Sequence, residues 1–133
     1  MEESLGQQKM VCIIDDDSDV RDIYRLKFQR EGFVVVIAKD GEEGLRVIKE
    51  KRPDVILLDI QMPILDGIEM LKILKKDNAL ANIPVVILSN LDSDTIFKQV
   101  SDLGAAEYYL VKSLSNPQKV VDITLQALAE HEA

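Results

Sequence analysis

Four apolar runs in this 133-residue chain stop on residues that could do chemistry. Residues 10–14 lead into Asp15-Asp16-Asp17, 55–58 into Asp59, 85–88 into Ser89, and 108–111 into Lys112. Carboxylates crowded into one pocket repel one another, and each is pushed toward protonation unless a cation offsets the charge. Oxygen ligands with no His or Cys nearby favour magnesium, manganese or calcium over zinc, and magnesium keeps sites open for phosphate oxygens. Lys112 suits an anionic oxygen, Ser89 can donate a hydrogen bond to another, and an Asp carboxylate beside a metal is a nucleophile for phosphoryl groups. All of this requires residues nearly a hundred positions apart to meet.

The pattern of elements supplies a reason for them to meet. The four runs and a fifth at 33–38 are mostly Val, Ile and Leu, and they are continuous rather than alternating, as parallel strands covered on both faces require. After each comes apolar residues at helical spacing: Val20, Ile23, Tyr24 and Phe28; Leu45 and Ile48; Gly67, Met70, Leu71 and Leu74; Ile96, Val100 and Leu103; Val121, Leu125 and Leu128. Asp40 with Glu43 reads as a capping-box-like helix start, Gly32 and Gly104 as helix C-terminal caps, and Asn116-Pro117 as a cap followed by Pro at the first helical position. Five βα units predict an α/β fold, a doubly wound five-stranded parallel sheet with five helices, which binds ligands at the carboxyl ends of its strands. The reactive residues sit at those ends.

Composition narrows the field. No apolar run approaches the length of a membrane-spanning helix, and the first ten residues lack a signal-peptide pattern, so a cytoplasmic protein without membrane contact is expected. A formal net charge of −8 disfavours direct contact with DNA or RNA. The single cysteine, Cys12, lies inside an apolar run and reads as a buried hydrophobe. Asp17 reads as a loop residue or helix cap, Asp66-Gly67 as a turn or helix start, Met62-Pro63 as a rigid loop and Pro84 as a strand opener. The domain is expected over 9–129, with flexible ends at 1–8 and 130–133; His131 falls in that tail as a solvated residue.

Taken together, Ile13-Ile14-Asp15-Asp16-Asp17, the stretch from Leu57 to Gly67 containing Asp59-Ile60-Gln61-Met62-Pro63, Pro84 to Ser89, and Tyr109-Leu110-Val111-Lys112 resemble the response-regulator receiver domain. The likeness runs from about Lys9 to about Leu128. It implies a flavodoxin-like strand order 2-1-3-4-5 and a phosphoacceptor at Asp59. Asp16 and Asp59 would ligate Mg²⁺ directly (Mn²⁺ being a substitute), Asp15 mainly through water, and Gln61 through its backbone carbonyl. Ser89 would bond the phosphoryl group, Lys112 would pair with it, and Tyr109 would be the aromatic that reports switching. The phosphodonor would be a histidine kinase, a phosphotransfer protein or a small phosphodonor. Output would pass to an effector protein or a homodimer through the face built from 95–103, the strand ending at Lys112 and the last helix from Pro117. The resemblance implies no classical enzyme, only Mg²⁺-dependent self-phosphorylation and self-dephosphorylation. Two residues depart from the family pattern: Ser113 stands where a proline usually follows the lysine, and Asn90 where a small residue is common.

Rival chemistries fit less well. Haloacid-dehalogenase-like phosphatases also use an Asp nucleophile with magnesium, but they need a second Asp two positions later as general acid, where this chain has Gln61. The six glycines form neither a Walker nor a dinucleotide fingerprint. The remaining alternative is a receiver-shaped module that only binds partners, which an unreactive Asp59 in an intact fold would favour.

Overall fold

The computed structural model of the chain describes residues 9–60, 62, 66–89, 94–104, 108–112 and 115–132. Strands and helices alternate strictly: β1 (Met10–Ile14), α1 (Ser18–Arg30), β2 (Val34–Ala38), α2 (Gly41–Lys51), β3 (Val55–Asp59), α3 (Gly67–Lys76), β4 (Val85–Ser89), α4 (Asp94–Asp102), β5 (Tyr109–Val111) and α5 (Pro117–Glu132). All strand pairs are parallel, as the continuous apolar runs predict, and the sheet order is β2-β1-β3-β4-β5, the order that the family resemblance implies. From β1 the chain crosses first to β2 and then back past β1 to β3, so the switch point of the sheet lies between β1 and β3.

Continuous apolar strands serve two helical layers at once, because alternate side chains point to opposite faces. Cys12, Ile14, Ile56, Leu58 and Ile87 pack toward Ile48 of α2, Met70, Leu71 and Leu74 of α3, and Val100 of α4. Their neighbours Val11, Ile13, Val55, Leu57, Val86 and Leu88 pack toward Tyr24 and Phe28 of α1 and Val120, Val121 and Leu128 of α5. Each buried Leu or Ile contributes on the order of 1.5 to 3 kcal/mol, so the buried central strands carry much of the burial that holds the site's scaffold together.

The helix boundaries follow their caps. Asp17 accepts from the amides of Asp19 and Val20, Asp40 from Glu43 and Asp66 from Glu69, while the Asn116 side chain accepts from Lys119. Glu43 returns a bond to the amide of Lys39 rather than to that of the cap itself, so the capping box is shifted by one residue. Gly32 and Gly104 adopt positive φ, 92° and 72°, where a side chain would be strained.

Three features differ from the sequence reading. β2 is an edge strand, and Val34 and Ile37 are 50% and 40% exposed, because an edge has no neighbour to help cover it. Ile23 lies off the buried stripe of α1 and is also exposed. α5 continues through Glu132, so Glu130 and His131 belong to its last turns: the Tyr108 hydroxyl bonds the Glu130 carboxylate, and His131 Nδ1 lies 3.0 Å from the carbonyl of Ala127. Residues 1–8 lie outside the described residues.

Candidate functional site

The strand registers place the reactive residues at one edge. Ile14 pairs with Leu58, Asp59 with Leu88, and Ser89 with Val111, so Asp15, Asp59, Ser89 and Lys112 all emerge at the carboxyl ends of adjacent strands. Asp15 prolongs β1 by one rung through its amide, which donates to the carbonyl of Ala38, and Ile60 prolongs β3 in the same way toward Leu88. The peptide that follows Asp59 is thereby bonded to β4.

α3 presses close behind it. The amide of Gly67 donates to the carbonyl of Ile60 at 2.9 Å. A Cβ at position 67 would lie 2.7 Å from the Cα of Ile60 and 2.8 Å from the carbonyl oxygen of Asp59. Only glycine fits there without displacing the backbone that carries Asp59.

Asp15, Asp16 and Asp59 each bring a carboxylate oxygen within 4.8 Å of the others. Asp15 and Asp59 are buried, and Asp16 is exposed. Lys112 lies over the two buried carboxylates, with Nζ 2.9 Å from Oδ2 of Asp15 and 3.5 Å from Oδ2 of Asp59. Burial works against the ammonium, but the bond to Asp15 and the charges of Asp59 and Asp15 outweigh it and raise the Lys112 pKa. One ammonium against three carboxylates leaves the pocket negative. An all-oxygen donor set with surplus negative charge and an exposed carboxylate on its rim fits a hard divalent cation.

Other contacts fix the loop that carries the acidic residues. The amide of Asp17 donates to Oδ1 of Asp15 at 3.0 Å, so the third aspartate both caps α1 and orients the first. Arg21 Nη1 donates to the carbonyl of Asp15 at 2.7 Å. Tyr24, on the next turn of α1, is buried; burial raises its pKa, opposed by the charge of Lys112 and aided by that of Asp15.

Ser89 is fully buried at the end of β4. Tyr109 opens β5 and is half-buried, and its ring meets that of Phe97 on α4 edge to face, with centroids 5.4 Å apart. Gln61, Asn90 and Ser113 lie outside the described residues. Cys12 is buried, and desolvation, with the Glu43 charge, pushes its thiol up to about 12, in keeping with a core hydrophobe.

Sequence reasoning missed Arg21, Phe97 and the close approach at Gly67. Arg21 carried a signal, since a cation in the first turn of a helix opposes the helix dipole and calls for a reason. Phe97 carried another, as a large aromatic beside the Ile96-Val100-Leu103 stripe rather than within it; it is 47% exposed.

A family profile for the response regulator receiver domain matches residues 11–124. The chain is 43% identical over 104 residues to the transcriptional regulatory protein PrrA of Mycobacterium tuberculosis, an alignment covering 77% of this chain and 42% of that protein. Among solved structures, a Francisella response regulator receiver domain superposes with a TM-score of 0.80 at 34% identity, over 95% of this chain and all of that one. A CheY-like receiver domain protein from Methanospirillum hungatei gives 0.85 at 26% identity, over 93% and 96% of the two chains. This chain belongs to the response regulator receiver domain family of two-component signalling. It spans between two fifths and one half of the length of the curated relatives it matches. No helix among the described residues is long and apolar enough to cross a membrane.

Proposed function

We propose that this chain, as a cytoplasmic receiver unit over 9–129, accepts a phosphoryl group on Asp59 and uses it to switch a protein-binding face. The observation that carries the reading is the meeting of Asp15, Asp16 and Asp59 within 4.8 Å, with Lys112 bridging the two buried members. In the transfer, a carboxylate oxygen of Asp59 attacks the phosphorus of a phosphohistidine on a histidine kinase or phosphotransfer protein. The new O–P bond forms as the P–N bond breaks, and the imidazole leaves and takes a proton from solvent. Attack by water on the same phosphorus releases inorganic phosphate and restores the carboxylate, so the chain acts on itself alone rather than on a stream of substrates.

Asp15, Asp16, Asp59 and the main-chain carbonyl of Gln61 would hold Mg²⁺, or Mn²⁺ in its place. Once bound, the ion supplies the positive charge that offsets the phosphoryl oxygens in the transition state. The raised pKa of Lys112 keeps its ammonium charged to pair with one of those oxygens, and the Ser89 hydroxyl donates to another.

Switching follows from the pull on Ser89. Drawing the end of β4 toward the phosphoryl group opens space beside Tyr109, which turns inward and leaves Phe97. The face formed by α4, β5 and α5 then binds an effector protein or a second copy of the chain, a shift in a pre-existing equilibrium. The exposed Phe97 ring against Tyr109 supports this choice of face. The test is incubation with acetyl phosphate with and without Mg²⁺, followed by NMR of the amides. A metal-dependent adduct whose shifts extend to Tyr109 and α4 is expected; an intact protein that takes no phosphoryl group would favour a partner-binding module instead.

A further inference from the structure

Arg21 closes the first turn of α1 with its amide on the carbonyl of Asp17, and its side chain folds back to donate from Nη1 to the carbonyl of Asp15. That is an unfavourable place for a cation. The helix N-terminus carries partial positive charge, and the half-buried guanidinium gives up part of its hydration. The bond to Asp15 and the adjacent carboxylates offset those costs. Asp15 is held at four points: its amide by the Ala38 carbonyl, its own carbonyl by Arg21, Oδ1 by the Asp17 amide and Oδ2 by Lys112. Asp16 lies between this fixed residue and the helix-capping Asp17, so its backbone direction is dictated by the two while its carboxylate stays exposed.

We infer that Arg21 is a positioning residue of the acidic pocket. Its bond to the Asp15 carbonyl holds the 15–17 loop in the conformation that brings the Asp16 carboxylate to Asp59, and so supports Mg²⁺ binding without touching the ion. The inference rests on the Mg²⁺ reading above. Charge alone gives the opposite sign, because a guanidinium beside the pocket repels a divalent cation and its removal should tighten binding. Only one N–H is used, so a lysine ammonium can partly replace it, whereas Arg21→Met keeps the apolar stem and loses the donor.

Two measurements on the full chain decide the matter. Amide exchange at Asp17 without metal should quicken roughly fivefold in Arg21→Met, the factor that one net hydrogen bond of protection confers, and stay near wild type in Arg21→Lys. Calorimetric titration with Mg²⁺ should show binding weakened about tenfold in Arg21→Met, the loss typical of residues one shell out from a metal, and mostly restored in Arg21→Lys. Arg21→Gln, too short to reach the carbonyl, replaces Arg21→Met if the latter does not fold. Unchanged or tighter Mg²⁺ binding in the folded Met or Gln variant overturns the proposal, as does equal weakening by Lys. Absence of Mg²⁺ binding by the wild type overturns the metal reading and this proposal with it; the Asp17 exchange rate then shows whether the loop clamp itself exists.

Discussion

Lys112 and Asp15 are separated by 97 positions in the chain and by 2.9 Å between Nζ and Oδ2. The ammonium also lies 3.5 Å from Asp59, so without metal it places a positive charge against two buried carboxylates. Lys112→Met removes that positive charge from beside both. It should lower metal-free stability by about 2 to 3 kcal/mol, somewhat less than breaking a fully buried pair because the lysine retains some solvent contact. Saturating Mg²⁺ should recover part of that loss. Urea unfolding with and without Mg²⁺ measures both quantities, and a variant as stable as wild type in either condition would contradict the assignment.

Asp16 has no comparable partner among the described residues and sits exposed beside the two buried carboxylates. Asp16→Asn should therefore raise metal-free stability, by at most about 1 kcal/mol given its solvent contact, while weakening Mg²⁺ binding. Wild type should gain about 1.4 kcal/mol at a tenfold excess of Mg²⁺ over its Kd, by mass action. Thermal melts across a Mg²⁺ series measure this; a melting temperature indifferent to millimolar Mg²⁺ would remove the ground for a metal site.

Ser89 is buried at the end of β4, one residue beyond the rung on which Asp59 pairs with Leu88. Ser89→Ala should still accept a phosphoryl group on Asp59 but lose most of the phosphorylation-dependent change at Tyr109 and Phe97. Side-chain NMR of those rings on beryllofluoride addition reads it. Equal shifts in variant and wild type would mean the signal leaves the pocket by another route.

Cys12 bears on stability at high pH. Its folded pKa, about 12, stands above the ordinary thiol value near 9, so the folded state favours the neutral thiol. The sign follows: the contribution is fully present below pH 9 and is lost as pH rises toward 12, at up to about 1.4 kcal/mol per pH unit. Cys12→Ala should show a shallower decline across that window. Native protein at pH 8 should also resist a thiol reagent that labels the unfolded chain; rapid labelling of native protein would mean that the β1 face opens readily.

Much of the site was legible because it depends on local pattern. Apolar runs and helical spacing locate the strands, and strand ends in a doubly wound sheet share an edge, so the sequence alone groups Asp59, Ser89 and Lys112. The less legible parts depend on partners distant in sequence or on shape. Nothing near Val34 and Ile37 says that β2 is an edge. Nothing near Glu130 says that Tyr108 will anchor it and carry α5 to Glu132. The crowding at Gly67 exists only once α3 is packed behind Asp59. The bond from Arg21 to a main-chain carbonyl leaves no trace in residue type at its acceptor.

The central claim is that Asp59 is the single phosphoacceptor and that transfer requires metal. Intact mass after incubation with acetyl phosphate, for wild type and Asp59→Asn with and without Mg²⁺, tests it most directly. The account predicts one added phosphoryl group on wild type with Mg²⁺ and none in the other three cases. A Mg²⁺-dependent adduct that persists in a folded Asp59→Asn variant would contradict it.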